Sequence, residues 1–265
     1  VKAGDFDGDG DLDLFVGSRS IPWRYGLNPA SYLLQNNGQG NFINVSNQYM
    51  PDVTALGMVT DAAWLDYDND QDLDLVVVGE WMPVTVLQNN DSYLTDVTDH
   101  AGLGKTSGWW NCILYDDLNG DGYMDLVAGN LGHNTKLQAS LKQPARMYIS
   151  DFDGNGIIEQ ILCYYQHDKL YPLLLRSDLI NQVPGMKDKF PTHADYAGAE
   201  IIDIFTSEQL DNALEKKAFT FATSLFYGSE NGTFNIQPLP AEVQFAPVYA
   251  IESGDFNDDG KKDLL

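Results

Sequence analysis

The sequence predicts an all-β fold, and three observations carry that prediction. A nine-residue acidic loop recurs five times in 265 residues, apolar residues alternate with period two on either side of it, and hairpins with Asn and Gly at their turns follow three of the copies. Two strands joined by the loop, plus a hairpin, make a unit of four. The architecture expected is therefore a β-propeller of four-stranded blades with cation-binding loops between strands.

The copies read DFDGDGDLD (Asp5 to Asp13), DYDNDQDLD (Asp66 to Asp74), DLNGDGYMD (Asp117 to Asp125), DFDGNGIIE (Asp151 to Glu159) and DFNDDGKKD (Asp255 to Asp263). A strand leaves each of the first three loops, through Leu12, Leu14 and Val16, then Leu73, Leu75 and Val77, then Met124, Leu126 and Ala128, and Gly17, Gly79 and Gly129 stop them. Strands enter through Ala62 to Leu65, Cys112 to Tyr115 and Val248 to Ile251. Tyr32 to Val45, Thr85 to Val97 and Leu225 to Ile236 read as the hairpins. From about 176 to 217 the pattern turns helical: Thr206 and Gln209 form a capping box, and Leu210, Ala213 and Leu214 share a face ahead of Lys216 and Lys217. The expected units are 1–57, 58–107, 108–175 and 218–265, one propeller segment of a longer protein, interrupted by a helical insertion over 176–217. Whether the fourth loop has a sheet of its own or joins the third unit stays open.

The loops read position by position as oxygen cages. The first place is Asp5, Asp66, Asp117, Asp151 or Asp255; the third is Asp7, Asp68, Asn119, Asp153 or Asn257. The fifth is Asp9, Asp70, Asp121, Asn155 or Asp259, and the ninth is Asp13, Asp74, Asp125, Glu159 or Asp263. The seventh is Asp11, Asp72, Tyr123, Ile157 or Lys261, with no side chain in common, so a backbone carbonyl is the donor expected there. Oxygen donors at alternate places, with no His or Cys, favour Ca²⁺ over Zn²⁺ and, by ligand number, over Mg²⁺. Two carboxylates ~5 Å apart repel by roughly 1 kcal/mol in water and about 3 kcal/mol at an effective dielectric of 20, and a divalent ion reverses that sign. Up to five structural Ca²⁺ ions are expected. Glycine at the sixth place of four copies lets the chain curl; Gln71 in the second is the exception.

Composition limits the partners. Acidic residues number 39 and basic ones 15, a formal charge of −24, which argues against nucleic acid and anionic membrane. Hydrophobic residues at 43% argue against a disordered acidic tail. No apolar run reaches the ~20 residues of a membrane span, so no insertion by this segment is expected. Cys112 and Cys163 read as buried thiols, and no nucleophile elbow, HExxH, Walker or dinucleotide motif is present, so no catalytic residue is assigned. Trp81, Trp109, Trp110 and Asn130 stand next to strand ends and are the candidate ligand-binding residues, the alternative being that the indoles fill space between blades.

Loops such as DFDGDGDLDLFVG followed by LLQNNGQGNFINVS resemble the VCBS and FG-GAP repeats, which form calcium-bearing propeller blades in integrin α-subunits and many secreted bacterial proteins. No Gly-Ala-Pro follows the second strand here; Gly17-Ser18-Arg19, Gly79-Glu80-Trp81 and Gly129-Asn130-Leu131 stand in its place. VGEWMPV, GWWNC, AGNLGHN and MYISDFDGNGIIEQIL are more similar to VCBS-containing surface proteins of Bacteroidetes-type bacteria, including some with an ASPIC/UnbV domain. The resemblance implies export, to the bacterial outer surface or periplasm, and a non-enzymatic module that binds a protein or glycan at its loop face. The alternatives are a polysaccharide lyase or hydrolase on the same scaffold, and a structural spacer.

Overall fold

A computed structural model describes residues 1–265, and its strands form antiparallel sheets. The first sheet is a meander of β1 (Lys2–Gly4), β2 (Asp13–Val16), β3 (Tyr32–Asn36) and β4 (Phe42–Asn44). The second repeats it with β5 (Met58–Leu65), β6 (Asp74–Met82), β7 (Thr85–Asn90) and β8 (Tyr93–Asp96), and β9 (Gly108–Trp109) pairs with the far end of β6. The third begins with β10 (Cys112–Asp116) and β11 (Asp125–Gly129), then the chain leaves it. A separate sheet follows, of β12 (Ala145–Ser150), β13 (Glu159–Gln166), β14 (Lys169–Pro172) and β15 (Leu214–Ala218), in the order β14-β13-β12-β15. Only then do β16 (Ser224–Tyr227) and β17 (Asn235–Pro238) complete the third sheet, and β18 (Ser253–Gly254) pairs with β19 (Asp263–Leu264).

The run Leu75-Val76-Val77-Val78 shows why the sheets stack. Leu75 and Val77 pack with Phe6, Phe15 and Leu33 of the first sheet's side, whereas Val76 and Val78 pack with Ile113, Leu126, Ala128 and Phe226 of the third. Every residue of β6 is buried, because a strand covered on both faces can be apolar at consecutive positions rather than alternate ones. The first strands β1, β5 and β10 are neighbours. Both cysteines are buried free thiols, and desolvation pushes the Cys112 and Cys163 thiols up. No helix is long and apolar enough to cross a membrane.

The expected units change in the second half. Residues 108–175 are not one sheet and 218–265 are not another: β11 pairs with β16, Ala128 opposite Ser224, so the third sheet is split by everything between. The insertion begins with β12, well before 176, and carries the fourth acidic loop on a sheet of its own. Its helices run from Arg176–Gln182 to Ser207–Asn212 and cover that sheet, with Leu179, Ile201 and Phe205 against Tyr148, Ile161 and Cys163. Thr206 and Gln209 make the capping box, the Thr206 hydroxyl accepting from the Gln209 amide at 3.2 Å. Leu214 to Lys217 are strand rather than helix: Glu215 there bonds Arg146 of β12 at 2.6 Å, a cross-strand pairing invisible in a one-dimensional helical pattern, and Lys217 of its own strand at 2.8 Å. The strand expected over Val248 to Ile251 is irregular chain, and pairing starts only at Ser253.

Candidate functional site

All five acidic loops connect paired strands in one register. The residue before the first place lies opposite the ninth: Gly4 and Asp13, Leu65 and Asp74, Asp116 and Asp125, Ser150 and Glu159, Gly254 and Asp263. The internal hydrogen bonds repeat as well. The first-place carboxylate accepts the fifth and sixth amides, as Asp66 does from Asp70 and Gln71, both at 3.1 Å, and Asp151 from Asn155 at 2.9 Å and Gly156 at 2.7 Å. The fifth-place oxygen accepts the seventh amide, at 2.9 Å in Asp9, 3.1 Å in Asp70, 2.9 Å in Asp121, 2.7 Å in Asn155 and 2.9 Å in Asp259. The ninth-place carboxylate accepts the second amide, from 2.8 Å in Glu159 to 3.3 Å in Asp13.

Such curling needs left-handed backbone at the fourth and sixth places. Gly8 and Gly10, Gly120 and Gly122, and Gly154 and Gly156 have it, as do Asp258 and Gly260. Asn69 (φ 62°) and Gln71 (φ 79°) follow the same path in the second loop without a glycine. Strain at Gln71 is the cost of that substitution, since a Cβ in this region crowds its own backbone. Gln71→Gly will therefore stabilise the protein by about 0.5–1 kcal/mol, checked by urea unfolding; a loss of stability sinks the assignment of strain.

The carboxylates converge. One oxygen each of Asp5, Asp7 and Asp13 lies within 4.8 Å of the others, and so do those of Asp66, Asp68 and Asp70, and of Asp151, Asp153 and Glu159. The loops of Asp117 and Asp255 carry amides, Asn119 and Asn257, at the third place. Asp13, Asp74 and Asp125 are fully buried. Desolvation pushes the Asp13, Asp68, Asp125 and Glu159 carboxyls up, Asp72 to about 6 and Asp74 to about 7. Asp68 Oδ1 and Asp72 Oδ1 are buried with no hydrogen-bond partner. Orphaned anionic oxygens in a cage of oxygens fit a hard cation. At the seventh place the side chain of Ile157 is 64% exposed, in keeping with a backbone donor there.

Side chains and amides of the hairpins tie these loops down, through contacts whose partners no local pattern in the sequence announces. Gln35 and Gln88 each donate to the third-place carboxylate, Asp7 and Asp68, at 2.6 Å. Asn36 and Asn89 donate their amides to the second oxygen of Asp13 and Asp74, at 2.7 and 2.8 Å, and the Gly228 amide does so for Asp125 at 2.9 Å. Asn89 also donates to the carbonyls of Phe6 (2.7 Å) and Leu73 (3.1 Å), stitching the first loop to the second. The signal was present: Gln-Asn-Asn occurs in both hairpins, at Gln35 and Gln88.

At the opposite strand ends the candidate ligand residues part company. Trp110 is wholly buried against Phe226, and Trp81 is 5% exposed with its indole donating to the Tyr25 hydroxyl at 3.3 Å. Asn130 is buried too, accepting from the Trp109 amide at 3.1 Å. These three hold structure, because strand ends here are covered by the next sheet. Trp109 is half-buried and lines an open cleft with Arg19, Glu80, Asn111 and Tyr249. Trp23, which is not among the sequence's candidates, is 95% exposed at φ 63°, after Pro22 in a turn closed by the Arg24 amide on the Ile21 carbonyl at 3.0 Å.

Residues 5–77 and again 66–128 match the profile of the FG-GAP-like repeat, which supports the FG-GAP and VCBS repeat family over this part of the chain. No curated protein matches the sequence. FG-GAP-like repeats occur in adhesion and binding modules, and a binding role is compatible with the fold.

Proposed function

We propose that the chain is a calcium-stabilised segment of an extracellular β-propeller, of the bacterial surface-protein kind, that serves as a non-enzymatic binding module. The supporting observation is the identical wiring of five loops, one of which buries two unpartnered carboxylate oxygens, Asp68 Oδ1 and Asp72 Oδ1. In each loop the oxygens of places one, three, five and nine would hold the ion, with the seventh carbonyl. A bound divalent charge supplies the attraction that the desolvated carboxylates lack, and so fixes the junction between the first two strands of each sheet. The stacking of four-stranded meanders, first strand beside first strand, supports the propeller arrangement.

A binding role is favoured over catalysis by the state of the cleft's one carboxylate. Glu80 accepts two bonds from Arg19 and one from the Tyr25 hydroxyl, and so is committed to structure rather than to proton transfer. Chelator will lower the melting temperature, and excess Ca²⁺ will restore it where Mg²⁺ restores less. A melting curve indifferent to chelator refutes the calcium reading, and degradation of polysaccharides by the pure protein refutes the non-enzymatic one.

A further inference from the structure

We propose that the cleft bordered by Arg19, Trp109, Asn111 and Tyr249 binds a neutral saccharide; the inference deepens the binding-module reading and rests on it. The cleft has a volume of about 530 Å³, within the usual range for small-molecule sites. It opens where β5 and β10 begin and where β2, β6 and β11 end, the end of the sheets away from the acidic loops.

The wall of Arg19 and Trp109 is fixed before any ligand arrives. Glu80, 3% exposed, accepts from Arg19 Nε at 2.9 Å and Nη2 at 2.6 Å on one oxygen, and from the Tyr25 hydroxyl at 2.8 Å on the other. Trp81 sits behind, at φ 58°, a left-handed conformation costly for so bulky a residue and maintained only where packing over-determines it. Trp109 leans on Trp81 with ring centroids 5.8 Å apart, and its backbone is held by Glu80 across the sheet and by the Asn130 side chain. The second aromatic, Tyr249, is 72% exposed.

The polar groups left over suit hydroxyls. Arg19 spends two of its five N–H bonds on Glu80, so three remain on a pinned guanidinium. Asn111 donates its amide to the Val248 carbonyl at 3.2 Å, which turns its Oδ1 into a free acceptor. Fixed donors and an acceptor between aromatic surfaces match a pyranose, whose hydroxyls radiate from the ring edge while its C–H face packs on an indole or phenol ring. Charge selects among saccharides. Glu80 already neutralises Arg19, and a chain of net charge −24 repels uronates and sulfated glycans.

The test titrates the whole chain, in calcium, with cellohexaose, xylohexaose, mannohexaose and chitohexaose, with hexagalacturonate as the anionic counterpart, by calorimetry and tryptophan fluorescence. At least one neutral hexasaccharide should bind, in about the micromolar-to-millimolar range, and quench or shift the indole emission. Trp109→Ala and Tyr249→Ala should each weaken it at least tenfold, and Tyr249→Ala, at an exposed position, should leave the melting temperature unchanged. Binding that survives both substitutions, or preference for hexagalacturonate, overturns the inference. Silence toward all the neutral sugars overturns it as well; if such a protein still melts in a calcium-dependent way, the scaffold reading stands while the saccharide fails.

Discussion

In calcium, Asp74→Ala will lower the free energy of unfolding by about 3–5 kcal/mol, whereas Asp70→Ala, at the fifth place of the same loop, will cost only about 1–2 kcal/mol. The difference comes from where the two carboxylates sit. Asp70 is exposed and its lost bond to the Asp72 amide can be replaced by water. Asp74 is fully buried and accepts the Tyr67 amide at 3.0 Å and the Asn89 amide at 2.8 Å, so its removal orphans two donors at once. Asn89 is in turn the residue that reaches across to Phe6, which carries the damage from the second sheet to the first. The proposed ion adds to this, since its loss of the ninth-place ligand falls on a loop that then holds uncompensated charge. Urea unfolding followed by circular dichroism, in calcium and in chelator, measures each term. The gap between the variants should narrow in chelator, where burial of the wild-type Asp74 without a counter-charge disfavours its ionised form. Equal losses for the two variants in calcium would show that the ninth place is no more than another loop carboxylate.

That contrast marks what could be read from the sequence. The loops were legible because each one is local: nine residues, with oxygen-bearing side chains at alternate places and turn residues where the backbone must be left-handed. The hairpin at Tyr32 to Val45 was legible for the same reason, its pairing of Asn36 with Phe42 spanning a short turn. The split third sheet was not, since nothing near Ala128 announces that its partner is Ser224 rather than the next strand to come. Lys216 and Lys217 read as the basic end of a helix, and only the position of Arg146 and Glu215 on adjoining strands makes them a sheet. The tryptophans divide similarly. Trp81, Trp109 and Trp110 share the same local signals, and which of them meets solvent depends on how the next sheet packs over each strand end. Gln35 and Gln88 are the instructive omission, because their repetition was visible but their partner, the third place of a loop lying upstream, was not.

Glu80→Ala will cost about 3–4 kcal/mol, and Glu80→Gln about 1–2 kcal/mol, because the first leaves polar groups unpartnered where the second retains an acceptor for one of them. The Tyr25 hydroxyl, which burial and the adjacent Glu80 carboxylate push well above its ordinary range, loses its acceptor and retains only the Trp81 indole as donor. Arg19, 57% exposed, can return to water, so its share of the loss is smaller than the short 2.6 Å contact suggests. The loop from Ser18 to Ser31 is tied down through these two residues, and its Gly26 packs on Met147 and Ile149 of the inserted sheet. Loosening it therefore frees two sheets from each other as well as one carboxylate from its partners. A double-mutant cycle of Glu80→Gln with Tyr25→Phe separates this from simple packing: a coupling of at least about 1 kcal/mol is expected for a buried bond to a charged group, and additive losses would place the stability of this corner in apolar contact alone. The pair also tests whether the cleft is preorganised, since Tyr25 is not itself a lining residue and reaches Arg19 through its bond to Glu80. Tyr25→Phe should weaken saccharide binding modestly while leaving Trp109 emission in the free protein unchanged.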